Sequence, residues 1–274
     1  MAELGPEEGR ALCEALEGPA PTSVRLHPQR PCRWSGAEAV PWSPAGRYLT
    51  ERPSFTLDPA FHAGAYYVQE ASSQFLAHVL AGEEVAGKRI LDLCAAPGGK
   101  SFAMAMQMED QGEIRSCDIH PHKLKLIESG AARLGITSVR TALADGRERH
   151  AAWTGQADVV LADVPCSGLG IIRKKPDIRW KDPAPLAQLP PIQAAILDNA
   201  AGYVRPGGVL VYSTCTVLPE ENGGVTEAFL RAHPEFTKEE FTLPGVGTWG
   251  GDVTLWPQRH GTDGFYICRM RRRG

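Results

Sequence analysis

The sequence predicts an α/β fold in which a mostly parallel sheet has helices on both faces. From residue 66 onward, short apolar runs alternate with segments whose apolar residues recur at helical spacing. This alternation indicates repeated β-α units, whose right-handed crossovers give a parallel sheet. The composition agrees, because the 274 residues are 43% hydrophobic and 22% charged, which excludes a disordered or low-complexity chain.

Residues 1–65 differ from the rest of the chain and predict a small α+β subdomain. A short helix is expected at 7–17, where Leu12 and Leu16 are spaced i, i+4. Frequent prolines then interrupt long elements, and short strands are expected at 23–26 and 48–50. Several arginines and tryptophans fit either a solvated capping module or an RNA-contacting face; they are Arg25, Arg30, Arg33, Arg47, Arg52, Trp34 and Trp42.

Residues 66–274 form the second predicted domain, which carries the regular alternation. The run 159–162 is apolar throughout and predicts a strand buried on both faces. Because such sheets bind ligands at the carboxyl ends of their strands, the chemistry should lie there. Strands are expected at 89–93, 114–118, 138–142, 159–162, 209–213 and 265–270, and helices at 71–80, 100–108, 121–134, 192–203 and 224–232.

The net charge and the cysteine content indicate which partners and which cellular compartment to expect. The 29 basic and 32 acidic residues give a formal net charge of -3, so any contact with nucleic acid must come from local patches. The odd number of cysteines, seven, favours reduced thiols in a cytosolic compartment. The acidic N-terminus does not read as a secretory signal, and no apolar run approaches the roughly 20 residues that span a bilayer. We therefore expect a soluble, cytoplasmic protein, by default a monomer.

The segment DLCAAPGGKS at 92–101 lies between a predicted strand and a predicted helix. Its small residues allow close approach of a ligand to the backbone, and the helix start offers free N–H groups. A nucleotide-triphosphate loop requires glycine where Cys94 stands, so that class is excluded. The dinucleotide-binding spacing is absent as well. A tight structural turn is the alternative interpretation.

Aspartates end three successive strands: Asp118, Asp145 and Asp163. A carboxylate after the second strand is placed to accept both hydroxyls of a ribose, and Asp145 is placed to accept from the amine of adenine. Each alone could be a helix cap, but three in register indicate an adenosine-containing cofactor without a phosphate clamp. The predicted cofactor is S-adenosylmethionine.

Two cysteines follow adjacent core strands in polar loops: Cys166 after the strand at 159–162 and Cys215 after the strand at 209–213. Both thiols should open onto one cleft, whereas Cys117 and Cys268 are expected to be buried apolar residues. Cys117, His120 and His122 are close in sequence, but they do not indicate a zinc site, because no second ligand pair follows at the spacing that such sites use. No metal is predicted.

These segments resemble the RNA (cytosine-5)-methyltransferases of the Fmu/Sun (RsmB and nucleolar Nol/NSUN) family over residues 64–274. The resemblance rests on YVQEASS at 67–73, the 92–101 loop, DIHPH at 118–122, DVPCSG at 163–168, IRKKPDIRW at 172–180, residues 213–222 and HGTDGFY at 260–266. The PDIRW segment is most like that of the bacterial small-subunit ribosomal RNA enzymes. Their helical N-terminal RNA-binding domain is not expected here, since only a shortened linking subdomain precedes the catalytic domain.

The resemblance implies a class I (Rossmann-like) methyltransferase fold of seven strands with the last antiparallel, and it implies roles for individual residues. Cys215 would be the nucleophile that attacks carbon 6 of cytosine, and Cys166 would help to release the product. Asp163 would hold the ring-nitrogen edge, and Lys100 would lower the thiol pKa or bind phosphate. The implied cofactor-binding residues are Cys94, Ala95, Ala96, Pro97, Gly98, Gly99, Lys100, Asp118, Asp145 and Asp163.

The predicted partner is RNA, and the target base must leave its stack to meet both thiol and methyl group. A basic loop beside Trp180 is either the RNA contact or a solvated surface; its cations are Arg173, Lys174, Lys175, Arg179 and Lys181. Ribosomal RNA is the expected substrate. Transfer RNA, a protein or small-molecule methyl acceptor, and a non-catalytic role in ribosome assembly are the alternatives.

Overall fold

A computed structural model of the chain describes residues 4–80 and 83–274. The N-terminal region contains a four-stranded antiparallel sheet of order β2-β3-β1-β4. The predicted boundary at residue 65 falls just before β4, whose pairing with β1 completes this sheet. The elements are α1 (Gly5–Glu17), β1 (Thr22–Leu26), β2 (Ala39–Val40), β3 (Ser43–Leu49), α2 (Pro59–His62) and β4 (Tyr66–Val68).

The second region follows the predicted alternation of strands and helices. Its elements up to the fifth parallel strand are α3 (Leu76–Val79), β5 (Arg89–Asp92), α4 (Gly99–Gln107), β6 (Glu113–Asp118), α5 (Pro121–Leu134), β7 (Val139–Leu143), β8 (Ala157–Asp163), α6 (Leu189–Tyr203) and β9 (Val204–Thr214). The remainder are α7 (Gly223–Ala232), β10 (Phe236–Lys238), β11 (Phe241–Leu243), β12 (Gly247–Trp249), β13 (Asp252–Leu255), α8 (Pro257–His260) and β14 (Phe265–Arg272).

The central sheet confirms the predicted α/β class. Its parallel strands run in the order β7-β6-β5-β8-β9, and β14 pairs antiparallel with β9. Among the described residues the sheet has eight strands where seven were expected: the five parallel strands, β14, and the short strands β10 and β13, which both pair with β14 at different points along its length. The pattern of apolar residues did not predict strands this short.

Helices cover both faces of the central sheet. Successive residues of β5 point to opposite faces, as the alternation of side chains along a strand requires. Ile90 packs in the core with Phe102 of α4 and Ile127 of α5, whereas Leu91 packs in the core with Leu197 of α6. Burial of each such side chain contributes about 1.5–3 kcal/mol, and the two cores together hold the carboxyl ends of the strands in one fixed row.

Two further observations complete the comparison with the predicted elements. The helix expected at 71–80 is split into a 3-10 turn, Ser72–Phe75, followed by the single α-turn α3. Within residues 4–80 and 83–274, we find no helix of sufficient length and apolar character to cross a membrane.

Candidate active site

A cleft of about 420 Å³ opens at the carboxyl ends of the parallel strands. It lies where the sheet order reverses between β5 and β8, which is where open α/β sheets bind ligands. Five predicted site residues line it: Cys94, Ala96, Asp118, Asp145 and Asp163. Other lining residues had not been predicted, among them Ile119, His120, Lys123, Gly146, Arg147, Ile192 and Ile196.

The loop between β5 and α4 is a tight turn that supports the floor of this cleft. The N–H of Ala95 donates to the carbonyl of Cys117 at 2.8 Å, and the N–H of Gly98 donates to the carbonyl of Ala95 at 2.7 Å. Gly98 has φ +104°, and a Cβ atom there would lie 2.4 Å from the ring of Phe102. Only glycine meets both conditions. The turn ends at α4, which begins at Gly99 and continues with Lys100.

Asp118 lies at the end of β6 and is almost fully buried. Its Oδ1 accepts from the backbone N–H of His120 at 2.9 Å. The Nζ of Lys123 lies 3.9 Å from the same oxygen. The carboxylate is therefore oriented by the start of the next loop, and it faces the cleft from the position predicted for a ribose-binding acid.

Asp145 also lines the cleft, but it is held by a neighbour that the sequence did not single out. Both of its carboxylate oxygens accept from the guanidinium of Arg147, and Oδ1 also accepts from the backbone N–H of Arg147. These bonds lower the pKa of Asp145. Its predicted partner, an adenine amine, would have to share the carboxylate with Arg147 or displace that side chain.

The structure brings the two predicted thiols together, since the loops after β8 and β9 are neighbours. The Sγ atoms of Cys166 and Cys215 lie 3.2 Å apart, and the N–H of Cys215 donates to Sγ of Cys166 at 3.3 Å. The hydrogen bond from Cys166 lowers the pKa of Cys215 in spite of burial, and the charges of Lys100 and Lys175 act in the same direction. The same hydrogen bond and burial raise the pKa of Cys166. The pair thus favours one thiolate, at Cys215, beside one thiol.

An ion pair lies next to the thiols. The Nζ of Lys100 is 2.6 Å from Oδ2 of Asp163, and the hydroxyl of Ser213 donates to Oδ1 of Asp163 at 2.7 Å. Burial lowers the pKa of Lys100, but the charge and the hydrogen bond of Asp163 outweigh it and leave that pKa raised. Lys100 is therefore an ammonium group, held between the cofactor cleft and Cys215.

Beneath the turn lies Asp92, a buried carboxyl group for which the 92–101 segment predicted no role of its own. Its Oδ2 accepts from the hydroxyl of Ser101 at 2.7 Å, and Ser116 donates in turn to Ser101 at 2.8 Å. Burial is the main cause that raises the pKa of Asp92 to about 7. Ser101 lies on α4 and Ser116 on β6, so this buried chain of hydrogen bonds ties the start of α4 to the sheet.

The basic loop after Cys166 divides into two sets of side chains. Arg173 and Lys174 are paired with Asp263, whose side chain is fully buried, at 3.1 Å and 2.9 Å. These two cations hold the loop against the segment before β14, so the structure does not support their predicted contact with RNA. Lys175, Arg179 and Lys181 are exposed, and the side chain of Trp180 is 88% exposed.

Most of the N-terminal arginines also have internal partners. Arg25 is buried and donates to the carbonyl of Ala103, and Arg30 donates to the carbonyls of Ala63 and Arg133. Arg33 pairs with Asp58, and Arg47 donates to three nearby carbonyls. These contacts stabilise the small sheet and its junction with the catalytic region, so they favour the capping interpretation over an RNA-contacting face.

Two further cysteines lie in strands of the central sheet. Cys117 and Cys268 are buried, as predicted for strand residues. Over the described ranges, we identify no group of three or more His, Cys, Asp or Glu side chains arranged to hold a metal ion.

Two protein-family models match the chain. One, described as 16S rRNA methyltransferase RsmB/F, matches residues 77–271. The other, described as the N-terminal domain of 16S rRNA methyltransferase RsmF, matches residues 1–71. The resemblance noted from residue 64 onward thus extends to the N-terminal region as well.

Individual relatives agree with the family models. The chain is 41% identical to a probable ribosomal RNA small subunit methyltransferase B of Bacillus subtilis, over 78% of this chain and 49% of that protein. A protein of the same description from Synechocystis is 35% identical over 98% of this chain and 64% of its own length. The chain therefore spans between half and two thirds of these relatives.

A solved structure shows the same fold. The crystal structure of a methyltransferase homolog from Pyrococcus horikoshii superposes with a TM-score of 0.81 at 28% identity, covering 97% of this chain and 91% of that one. The matched family model covers the sheet, the cleft and both cysteine loops described above. On this evidence the chain belongs to the 16S rRNA methyltransferase RsmB/F family.

Proposed function

We propose that this protein transfers a methyl group from S-adenosylmethionine to carbon 5 of a cytosine in RNA, with small-subunit ribosomal RNA as the substrate. The observation that carries the proposal is the contact between Cys166 and Cys215, 3.2 Å apart, next to the ion pair of Lys100 and Asp163. A methyltransferase that acts on an already nucleophilic atom has no need of a second cysteine at this position.

The cleft suits S-adenosylmethionine, the cofactor of methyltransferases of this family. Asp118 offers a carboxylate for the ribose hydroxyls, and the apolar side chains of Ile192 and Ile196 line the cleft with the loop that carries Asp145. No cluster of phosphate-binding residues is required, because the cofactor has none of the phosphates of a dinucleotide. When bound, S-adenosylmethionine supplies an electrophilic methyl group.

Carbon 5 of cytosine is a weak nucleophile, and Cys215 overcomes this by bonding to carbon 6 of the ring. A thiolate is required for that attack, and the hydrogen bond from Cys166 together with the ammonium of Lys100 favours it. The attack converts the ring into an enamine, whose carbon 5 accepts the methyl group. Asp163, fixed by Lys100 and Ser213, faces the ring-nitrogen edge and stabilises its protonated form.

Product release requires that the bond between Cys215 and carbon 6 be broken. Transfer of the carbon 5 proton to solvent water leaves its electron pair to form the double bond between carbons 5 and 6, which expels the Cys215 thiolate. Cys166 assists this step, because its Sγ atom lies in contact with the departing sulfur. Its raised pKa keeps it protonated in the free enzyme, so the two cysteines do not compete for carbon 6.

RNA would reach the thiols past the exposed part of the basic loop. Lys175 and Lys181 carry positive charge there, although Asp177 and Asp182 lie among them. Trp180 offers an aromatic face on which an unstacked base can stack. This surface would hold nucleotides next to the target, which must be flipped or single-stranded to reach Cys215.

The test is methylation of small-subunit ribosomal RNA by the purified chain with labelled S-adenosylmethionine, followed by bisulfite sequencing. The wild-type protein should leave one or more protected cytosines, and Cys215→Ala should leave none. Cys166→Ala should accumulate a covalent protein–RNA species that survives a denaturing gel. Full activity of Cys215→Ala would indicate a different acceptor chemistry. Methylation of transfer RNA in place of ribosomal RNA would retain the mechanism and replace the substrate.

A further inference from the structure

A buried polar cluster lies behind both cysteine loops, in residues that the mechanism above does not use. Its centre is Glu221 and Asn222, which are 1% and 2% exposed. They lie in the turn between β9 and α7, just before that helix begins at Gly223. A carboxylate this deeply buried is costly unless hydrogen bonds compensate for its lost solvation, and the donors of those bonds are the groups that it holds in place.

Glu221 holds the loop that carries Cys166. Its Oε2 accepts from the backbone N–H of Ser167 at 2.9 Å and from the side-chain amide of Gln193 at 2.7 Å. The same Gln193 amide donates to the carbonyl of Pro165 at 3.0 Å. The residues on either side of Cys166 are therefore fixed by one carboxylate and one amide, both fully buried.

Asn222 holds the loop that carries Cys215 in the same way. Its Oδ1 accepts from the hydroxyl of Thr214 at 2.6 Å, and its Nδ2 donates to the carbonyl of Thr216 at 3.1 Å. These contacts lie on either side of Cys215. The hydroxyl of Ser167 then donates to Oγ1 of Thr216 at 2.8 Å and links the two loops directly.

We propose that Glu221 and Asn222 are positioning residues that set the separation of the two thiols, with Glu221 acting on Cys166 and Asn222 on Cys215. Two adjacent residues of one rigid turn each clamp one cysteine loop, so the distance between the sulfur atoms is fixed by the backbone of that turn. The inference rests on the proposed function, since the separation matters only if both thiols act on one ring.

Loss of the Glu221 contacts and loss of the Asn222 contacts should have different kinetic effects. Loss of the Glu221 contacts frees the Cys166 loop, which slows release and leaves covalent protein–RNA complex. Loss of the Asn222 contacts frees the Cys215 loop, which slows formation of that complex. A misplacement of about 1 Å in such a site costs on the order of 10²-fold in rate. Binding of RNA and cofactor should change little, because neither residue lines the cleft.

The experiment compares Glu221→Ala and Asn222→Ala with Glu220→Ala, whose side chain is the exposed neighbour in the same turn. We expect kcat to fall by roughly 10- to 100-fold in the first two variants, with KM for RNA within about twofold of wild type, and Glu220→Ala to be unchanged. Glu221→Ala should accumulate covalent complex and Asn222→Ala should not. Glu221→Gln, which keeps a carbonyl oxygen for both donors, should restore most of the rate.

Controls separate this inference from the proposed function and from simple misfolding. Binding of S-adenosylmethionine by titration calorimetry should be retained in every variant, which reports a folded cleft. If Cys166→Ala forms no covalent complex in the same assay, the proposed function fails. If it does, while Glu221→Ala turns over like wild type or changes KM alone, the positioning role is wrong. If Glu221→Ala proves unfolded, Gln193→Ala tests the same contacts: a lower kcat with accumulated covalent complex supports the positioning role, and wild-type turnover contradicts it.

Discussion

The Nζ of Lys100 lies 2.6 Å from Oδ2 of Asp163, and this ion pair joins the first turn of α4 to the end of β8, beside the cleft that Asp163 lines. Its position between cleft and thiols gives Lys100 two effects. It fixes the carboxylate of Asp163, and its charge lowers the pKa of Cys215. The pair thus links the loop between β5 and α4 to the electrostatic environment of Cys215.

The first prediction concerns the reactivity of Cys215 as a function of pH. Because its pKa is lowered by Cys166 and by Lys100, its thiolate forms at a lower pH than that of an ordinary cysteine. Alkylation of Cys215 by iodoacetamide should therefore rise with pH around a midpoint that moves upward in Cys166→Ala and in Lys100→Met. Mass spectrometry of the Cys215 peptide measures the rate, with the exposed Cys13 as internal reference. Unchanged midpoints in both variants would show that Cys166 and Lys100 do not lower the pKa of Cys215.

The second prediction concerns the stability contributed by Asp92. Its pKa is raised to about 7 in the folded protein, against about 3.9 in an unfolded chain. The folded state therefore binds more protons between these values, and the free energy of unfolding should fall as the pH rises from about 4 to about 7. Asp92→Asn, which retains an oxygen for Ser101, should be more stable than wild type at pH 8 and comparable at pH 4. Thermal unfolding at both pH values checks this, and equal shifts at both would refute it.

The third prediction concerns the buried charges behind the basic loop. Asp263→Ala removes the only carboxylate paired with Arg173 and Lys174 in the described part of the chain. A buried charge left uncompensated costs about 3–5 kcal/mol, so the free energy of unfolding should fall by about that amount. The exposed Asp177 on the same loop provides the control, since Asp177→Ala should change stability by less than about 0.5 kcal/mol. Chemical denaturation measures both, and similar values for the two variants would argue against a structural role for the ion pairs of Asp263 with Arg173 and Lys174.

The fourth prediction concerns RNA binding by Trp180. Stacking of a base on an aromatic side chain contributes about 1–3 kcal/mol, so Trp180→Ala should raise KM for RNA by roughly 5- to 150-fold. Affinity for S-adenosylmethionine should not change. Leu57→Ala removes another highly exposed apolar side chain, in the N-terminal region, and should leave KM unaltered. A Trp180→Ala enzyme with wild-type KM would identify the tryptophan as an unused surface residue.

Local patterns predicted most of the catalytic fold. The apolar runs around 90, 160 and 210 and the loop at 92–101 identified the parallel strands and the cleft, because strand burial and tight turns leave strong traces in sequence. The two cysteines could be placed together for the same reason, since their strands are neighbours. The short strands β10 and β13 were not predicted, because three or four residues are too few to show a periodic pattern of apolar side chains.

Contacts between residues far apart in the sequence explain why other features of the site were not predicted. Arg173 and Lys174 have the composition of an RNA-binding loop, but the carboxylate that neutralises them is Asp263, about 90 residues later in the chain. The role of Glu221 depends likewise on Ser167 and Gln193, which sequence spacing does not connect to it. Arg147 was missed for a different reason, since its bonds to Asp145 are local but surface arginines are common.

The contact between Cys166 and Cys215 also makes the enzyme vulnerable to oxidants. A disulfide requires sulfur atoms about 2.05 Å apart, and these are 3.2 Å apart, so a shift of about 1 Å suffices. A peroxide would take two electrons and two protons from the thiols, leaving a disulfide and water and removing the nucleophile. Loss of two mass units from the linked peptides, together with inactivation that a dithiol reverses, is the expected signature. Oxidation of this pair would therefore stop the proposed methyl transfer until a reductant restored both thiols.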